Sequence, residues 1–185
     1  MLRFSKIELA HLARAWFFVS LMFSVAYAGL SLNALVILPV TLLIAGLAFV
    51  LHELAHKFVA QRARCWAEFR SNDQMLLIGL LLSVTGIIIA APGAVMVHGA
   101  SRNTHGKIAL AGPVVNLLLA LIFFALSFYS SSVLVFYGLR INSLLAVFNL
   151  IPFPPFDGHS VWQWNKAAYL AAMIPSALLM ILIQI

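Results

Sequence analysis

His52-Glu53-Leu54-Ala55-His56 is the densest chemistry in this chain. On an α-helix, residues four apart stand about 40° apart around the axis and one turn along it. Two imidazoles at that spacing can grip one metal ion from the same face. Glu53, about 100° round from His52, can reach a water at the metal without ligating the ion. Imidazole nitrogens suit a borderline-soft divalent cation, so zinc is the first candidate, one ion per chain. The bland alternative is a solvated face or a buried polar cluster. It fares badly here, because the group interrupts an apolar run, where ionisable side chains are costly and default to a functional reading.

Two histidines leave zinc short, since a catalytic site normally has three protein ligands and one open position. The chain has five acidic residues. Glu8, Glu68 and Asp73 fall in polar flanks, and Glu53 is taken as the base. Asp157 remains, in Asn149-Leu-Ile-Pro-Phe-Pro-Pro-Phe-Asp-Gly-His-Ser160. Pro152, Pro154 and Pro155 cannot continue a helix, and Gly158 permits a tight turn. Asp157 is therefore expected on unwound backbone at the end of a span; its plain reading is a loop aspartate capping the last helix.

The elements that must position these residues are apolar. The 185 residues are 64% hydrophobic and 9% charged, against about a quarter charged in soluble domains. Open sheets cannot satisfy their backbone in lipid. The fold class expected is all-α, a polytopic membrane protein of five to six transmembrane helices, as a single domain over 1–185. Apolar runs fall at 12–30, 34–60, 75–97, 108–129, 133–151 and 167–185. The first is read as a retained span, since no small-residue cleavage site follows closely. Cys65, alone, excludes an internal disulfide. The net charge of +6 comes from cations that punctuate the ends of apolar runs, so it signals orientation in a bilayer and no nucleic acid partner.

Arg3, Lys6 and Arg14 put the N-terminus in the cytoplasm, and Lys57, Arg62, Arg64 and Arg70 put the end of the second run there too. The third run is irregular: a helix-like start, then Ala91-Pro92-Gly93, then a β-prone Ala-Val-Met-Val. If it spans fully, Arg102 and Lys107 land outside, against the rule. A fold-back keeps them inside, and with them Asp157, on the side of His56. His56 and His52 then lie about 9 and 15 Å inside the helix end near Arg62. The localisation expected is a multi-pass cell-membrane protein with its zinc site towards the cytoplasm.

An HExxH within a span, followed by Asn149, Pro152, Asp157 and Gly158 as Asn-x-x-Pro-x-x-x-x-Asp-Gly, resembles the site-2 protease family of intramembrane zinc metalloproteases. Gly112, Pro113 and Asn116 match that family's Gly-Pro-x-x-Asn element. The resemblance covers roughly residues 45–160. It implies that His52, His56 and Asp157 bind zinc, that Glu53 is the general base, and that Asn149 steadies the substrate backbone or the developing oxyanion. It implies a membrane-inserted, partly β-like element within residues 65–99, a zinc endopeptidase activity, and a transmembrane protein or peptide as substrate, met in the lipid bilayer. Asn116 is a further candidate for contact with substrate or ligands. The family often has Leu before Asp-Gly, where this chain has Phe156, and no PDZ or cystathionine-synthase-type regulatory domain is evident.

His98, His105 and His159 sit near the polar elements without motif spacing and read most simply as interfacial or loop histidines. His159 is the best placed of them, as a support for Asp157. Two rivals remain from other classes. A divalent-metal transporter would need acidic or histidine steps across the whole membrane, and the extracellular half offers almost none. A non-catalytic membrane scaffold would be marked by loss of Glu53, which is present.

Overall fold

The computed structural model describes residues 2–88 and 92–183. Ala91 of the expected helix break and the last two residues of the expected final run lie outside them. Helix α1 (Lys6–Ala28) begins where Ser5 Oγ accepts the Glu8 amide (3.0 Å) and ends at Gly29, φ 67°. Helix α2 (Leu32–Thr41) contains Pro39, which withdraws one backbone donor. A π-helical turn, Leu42–Gly46, follows it and leads into α3 (Leu47–Arg62). Trp16 of α1 donates its indole N–H to the Leu42 carbonyl in that turn (3.0 Å). Helix α3 closes with Arg64 at φ 62° and the Cys65 amide bonded back to Ala60 (3.0 Å). This is the left-handed stop that glycine usually supplies.

Strands β1 (Trp66–Ser71) and β2 (Gly93–His98) form a two-stranded sheet. They run antiparallel: the Trp66 ring meets His98 at one end, and the Asn72 amide bonds Pro92 at the other (2.8 Å). Between them lies α4 (Asp73–Ser83). The expected third span is therefore divided. Eleven helical residues rise about 16 Å, half of a hydrocarbon core of about 30 Å, and the Asn72–Pro92 bond brings the segment back to its start. The remainder is helical: α5 (Arg102–Ser127), α6 (Val133–Asn149), α7 (Asp157–Trp164) and α8 (Lys166–Leu182).

The chain forms two compact units, one of Met1–Val50 with Glu68–Met96, the other of Leu51–Ala67 with Val97–Ile185. In the first, α1 packs on α2, the π turn and α4, and a polar stripe along α1 seals β1. Glu8 Oε1 accepts the Phe69 N–H (2.9 Å), and His11 Nδ1 accepts the Ser71 N–H (3.1 Å). Ser5 bonds Glu68, and Arg14 grips both carboxylate oxygens of Asp73 (2.7 and 2.6 Å). The bond from Arg14 is the main reason that the Asp73 carboxyl is held below the usual carboxylate range. Phe69 and Ser71 share an edge of the strand, so side chains of a helix satisfy the row that a third strand would take. Glu8, read from sequence as part of a polar flank, is fully buried for this purpose.

In the second unit, α5 packs along α6, α7 and α8. Its interior holds Asn116, Asn142, Ser143 and Ser176, while Leu118, Leu121 and Ile122 of α5 face outward. Soluble monomers rarely expose continuous apolar patches. Three helical stretches, Lys6–Ala28, Leu32–Arg62 and Arg102–Ser127, are long and apolar enough to cross a membrane. Three shorter apolar helices accompany them, Asp73–Ser83, Val133–Asn149 and Lys166–Leu182.

Replacing Glu8 by alanine strands the buried Phe69 N–H. The expected loss is about 1–3 kcal/mol, read from denaturant unfolding of the chain in detergent. Arg14→Ala breaks only an exposed ion pair and should change stability little.

Candidate metal centre

The second half of α3 carries His52, Glu53 and His56, and all three are buried. The helical period puts both imidazoles on one face, and their rings meet edge to face with centroids 4.6 Å apart. Asp157, expected on unwound backbone, instead opens the first turn of α7, because the proline-rich break that follows α6 ends at Phe156. Gly158 allows that turn to press on the end of α6, because a Cβ there would strike the Leu150 carbonyl.

His52 Nε2 and His56 Nε2 are 2.9 Å apart, and each is 3.2 Å from Asp157 Oδ2. One ligand atom from each residue thus falls within 4.8 Å of the others, a group that could hold a metal ion. The hydrogen bonds behind the rings show what these atoms are. His56 Nδ1 is 2.7 Å from the Ile108 carbonyl, and His52 Nδ1 is 2.6 Å from Asn116 Oδ1. Oxygens of carbonyl type only accept, so both Nδ1 atoms carry the protons and both Nε2 atoms present lone pairs. In the neutral rings, two lone pairs and a carboxylate oxygen then converge, which is repulsive unless a cation or a further proton lies among them.

Zinc resolves that conflict. Ligands about 2.1 Å from a tetrahedral ion stand about 3.4 Å from one another, close to the separations observed. Two imidazoles plus one carboxylate is also a donor set that catalytic zinc uses. Space is made for it by Gly112 on α5: a Cβ at this position would collide with the Nε2 atoms of both histidines. The residues present fit the metal.

Among proteins of known name, one from Methanocaldococcus jannaschii, "Putative zinc metalloprotease MJ0611", is 37% identical over 181 residues, covering 94% of this chain and 92% of its own. The chain belongs to this zinc metalloprotease family. No protein-family model and no solved structure matches it.

The remaining candidates of this family member divide. Asn116 of α5 is fully buried and holds His52. Asn149, at the end of α6, donates its amide to the Leu145 carbonyl one turn back (2.9 Å). His159 pairs with Gln163, one turn along α7 (2.9 Å), and not with the Asp157 carboxylate beside it. His98 meets Trp66 edge to face.

Sequence reasoning did not single out Asn142 of α6, which bonds Asn116; an amide inside an apolar run was the available signal. Nor could it name the Ile108 carbonyl, since backbone groups leave no mark in composition. Lys57, read as part of a basic flank, is buried and donates Nζ to the Ala67 carbonyl (2.9 Å), tying the start of β1 to α3.

Gly112→Ala drives a methyl group against the Nε2 atoms of both histidines. It is expected to weaken zinc binding by at least about 10–100-fold, the scale of losses in the surroundings of a metal. Competition against a chromophoric chelator measures this, and unchanged affinity would show that the Gly112 gap is not the metal's space.

Proposed function

We propose that this protein is an intramembrane zinc metalloprotease of the site-2 protease type, a single membrane-embedded domain that hydrolyses peptide bonds within or beside transmembrane segments of other membrane proteins. The observation that carries the reading is a converged two-histidine, one-carboxylate donor set whose histidines lie in the apolar helical stretch Leu32–Arg62. His52 stands ten residues before Arg62, about 15 Å along the helix. The ordered motifs around Gly112, Asn116, Asn149 and Asp157 support the same reading.

In this reading His52, His56 and Asp157 hold one zinc ion, which when bound acidifies water and polarises a carbonyl oxygen. Glu53 takes a proton from the attacking water and returns it to the leaving amine. Asn149 keeps a second amide hydrogen beyond the one given to Leu145, and offers it to the substrate backbone or the oxyanion. Water reaches the centre past Asp157, whose side chain is 24% exposed while those of His52 and His56 are nearly closed off. A helical substrate must unwind locally before its scissile carbonyl is accessible, because helix carbonyls are otherwise engaged four residues on. The positive flanks orient the N-terminus and the zinc site towards the cytoplasm, in a multi-pass arrangement of five to six spans with the β1–α4–β2 segment re-entrant.

Purified chain in detergent or nanodiscs, offered a panel of single-span substrates, tests this. Cleavage should vanish with a chelator, return with zinc, and fall by about 10²–10⁴-fold in Glu53→Ala. Full activity in Glu53→Ala would remove the general base, and with it the proposed mechanism.

A further inference from the structure

His52 can offer Nε2 to a metal only while Nδ1 keeps the ring proton, and Asn116 Oδ1, 2.6 Å away, keeps it there. A primary amide can face a histidine with either end. The wrong end, Nδ2, would donate to Nδ1 and drive the proton to Nε2, where it blocks the metal. Something must therefore set which way Asn116 stands.

Asn116 Nδ2 donates to Asn142 Oδ1 on α6, 3.3 Å away. That moves the question back by one residue, since Asn142 is also an amide. It ends at Asn142 Nδ2, which donates to the Gly138 carbonyl at 2.8 Å, one turn earlier in the same helix. A backbone carbonyl can only accept. The run of bonds from His52 through Asn116 and Asn142 thus ends on a main-chain oxygen at Gly138, which fixes the polarity of Asn142 and favours that of Asn116. Asn116 is 0% exposed, Asn142 1% and His52 4%, so bulk water does not compete for these bonds. His56 needs no such relay, because the Ile108 carbonyl holds its Nδ1 proton directly.

We propose that Asn142 is a positioning residue for the metal centre: acting through Asn116, it holds His52 in the tautomer that presents Nε2. The inference rests on the reading above only in taking His52 as a metal ligand. It explains why an amide is buried in α6, where an apolar residue would cost less.

The test reads zinc affinity of the purified full chain by competition with a chromophoric chelator, together with the His52 tautomer by 15N NMR before zinc is added. Asn142→Leu should weaken zinc binding about 10–100-fold and replace the Nδ1–H form of His52 by a mixture. Asn142→Asp should bind zinc as the wild type does. Its carboxyl, in either protonation state, still accepts from Asn116 Nδ2 and so keeps that amide the right way round. The Asn116→Leu/Asn142→Leu double variant should bind no worse than Asn116→Leu alone, because one break already severs the relay.

Wild-type affinity and tautomer in Asn142→Leu would overturn the proposal, as would an additive loss in the double variant. Weak zinc binding by a folded Asn142→Asp protein would overturn it independently of whether the leucine variant folds. His52→Ala separates the two readings. Zinc affinity unchanged in His52→Ala sinks the metal centre itself, whereas zinc lost there but kept in Asn142→Leu sinks the relay alone.

Discussion

Two imidazole lone pairs and a carboxylate oxygen lie within 3.2 Å of one another, and such atoms repel unless a cation stands among them. That constraint governs the second unit of the protein. The single protons of the neutral rings are held on their far sides, by Ile108 and by Asn116. Burial strengthens every term, since an unneutralised charge in apolar surroundings is very costly. Gly112 keeps α5 from crowding the Nε2 atoms, since a Cβ there would strike both histidines. A centre of this kind stays converged because the helices around it are packed to hold it.

The first unit answers a different constraint. A two-stranded sheet leaves each strand an open edge, and open edges seek other strands. Helix α1 closes the edge of β1 with Glu8 and His11, spaced three residues apart on a helix, each meeting an N–H of alternate strand residues. Two helical residues so spaced rise about 4.5 Å, and alternate strand residues about 6.6 Å. The mismatch is small enough for long side chains to absorb. A glutamate can be buried here without penalty out of proportion, because it is spent on a backbone donor that would otherwise be stranded.

Much of this was legible before any coordinates. Apolar runs with cations at their ends announced helices of membrane type, and among the described residues three stretches are long and apolar enough to cross. Proline and glycine at 92 and 93 marked the change from helix to strand, and β2 begins there. Less was legible where a residue's role depends on its partner. Glu8 and Lys57 read as flanking charges by their neighbours in the chain, yet both are buried on backbone atoms of β1. Only the folded chain shows those atoms. The fold-back expected of the run at 75–97 rested on charge placement alone, and the Asn72–Pro92 bond that returns the segment to its start is visible only in the folded chain.

What the sequence determined by itself was set by periodicity. Four residues between His52 and His56 make one helix turn, so their shared face follows from the geometry of the peptide unit alone. Three prolines in four positions before Asp157 likewise break the helix, where the single Pro39 inside α2 does not. The tertiary structure decided what periodicity cannot reach: that Asp157 meets the histidines across 105 positions of chain, and that their ring protons point away from it. Distances across the fold and the orientation of an amide depend on which elements pack together. Packing is a property of the whole chain, and no local spacing encodes it.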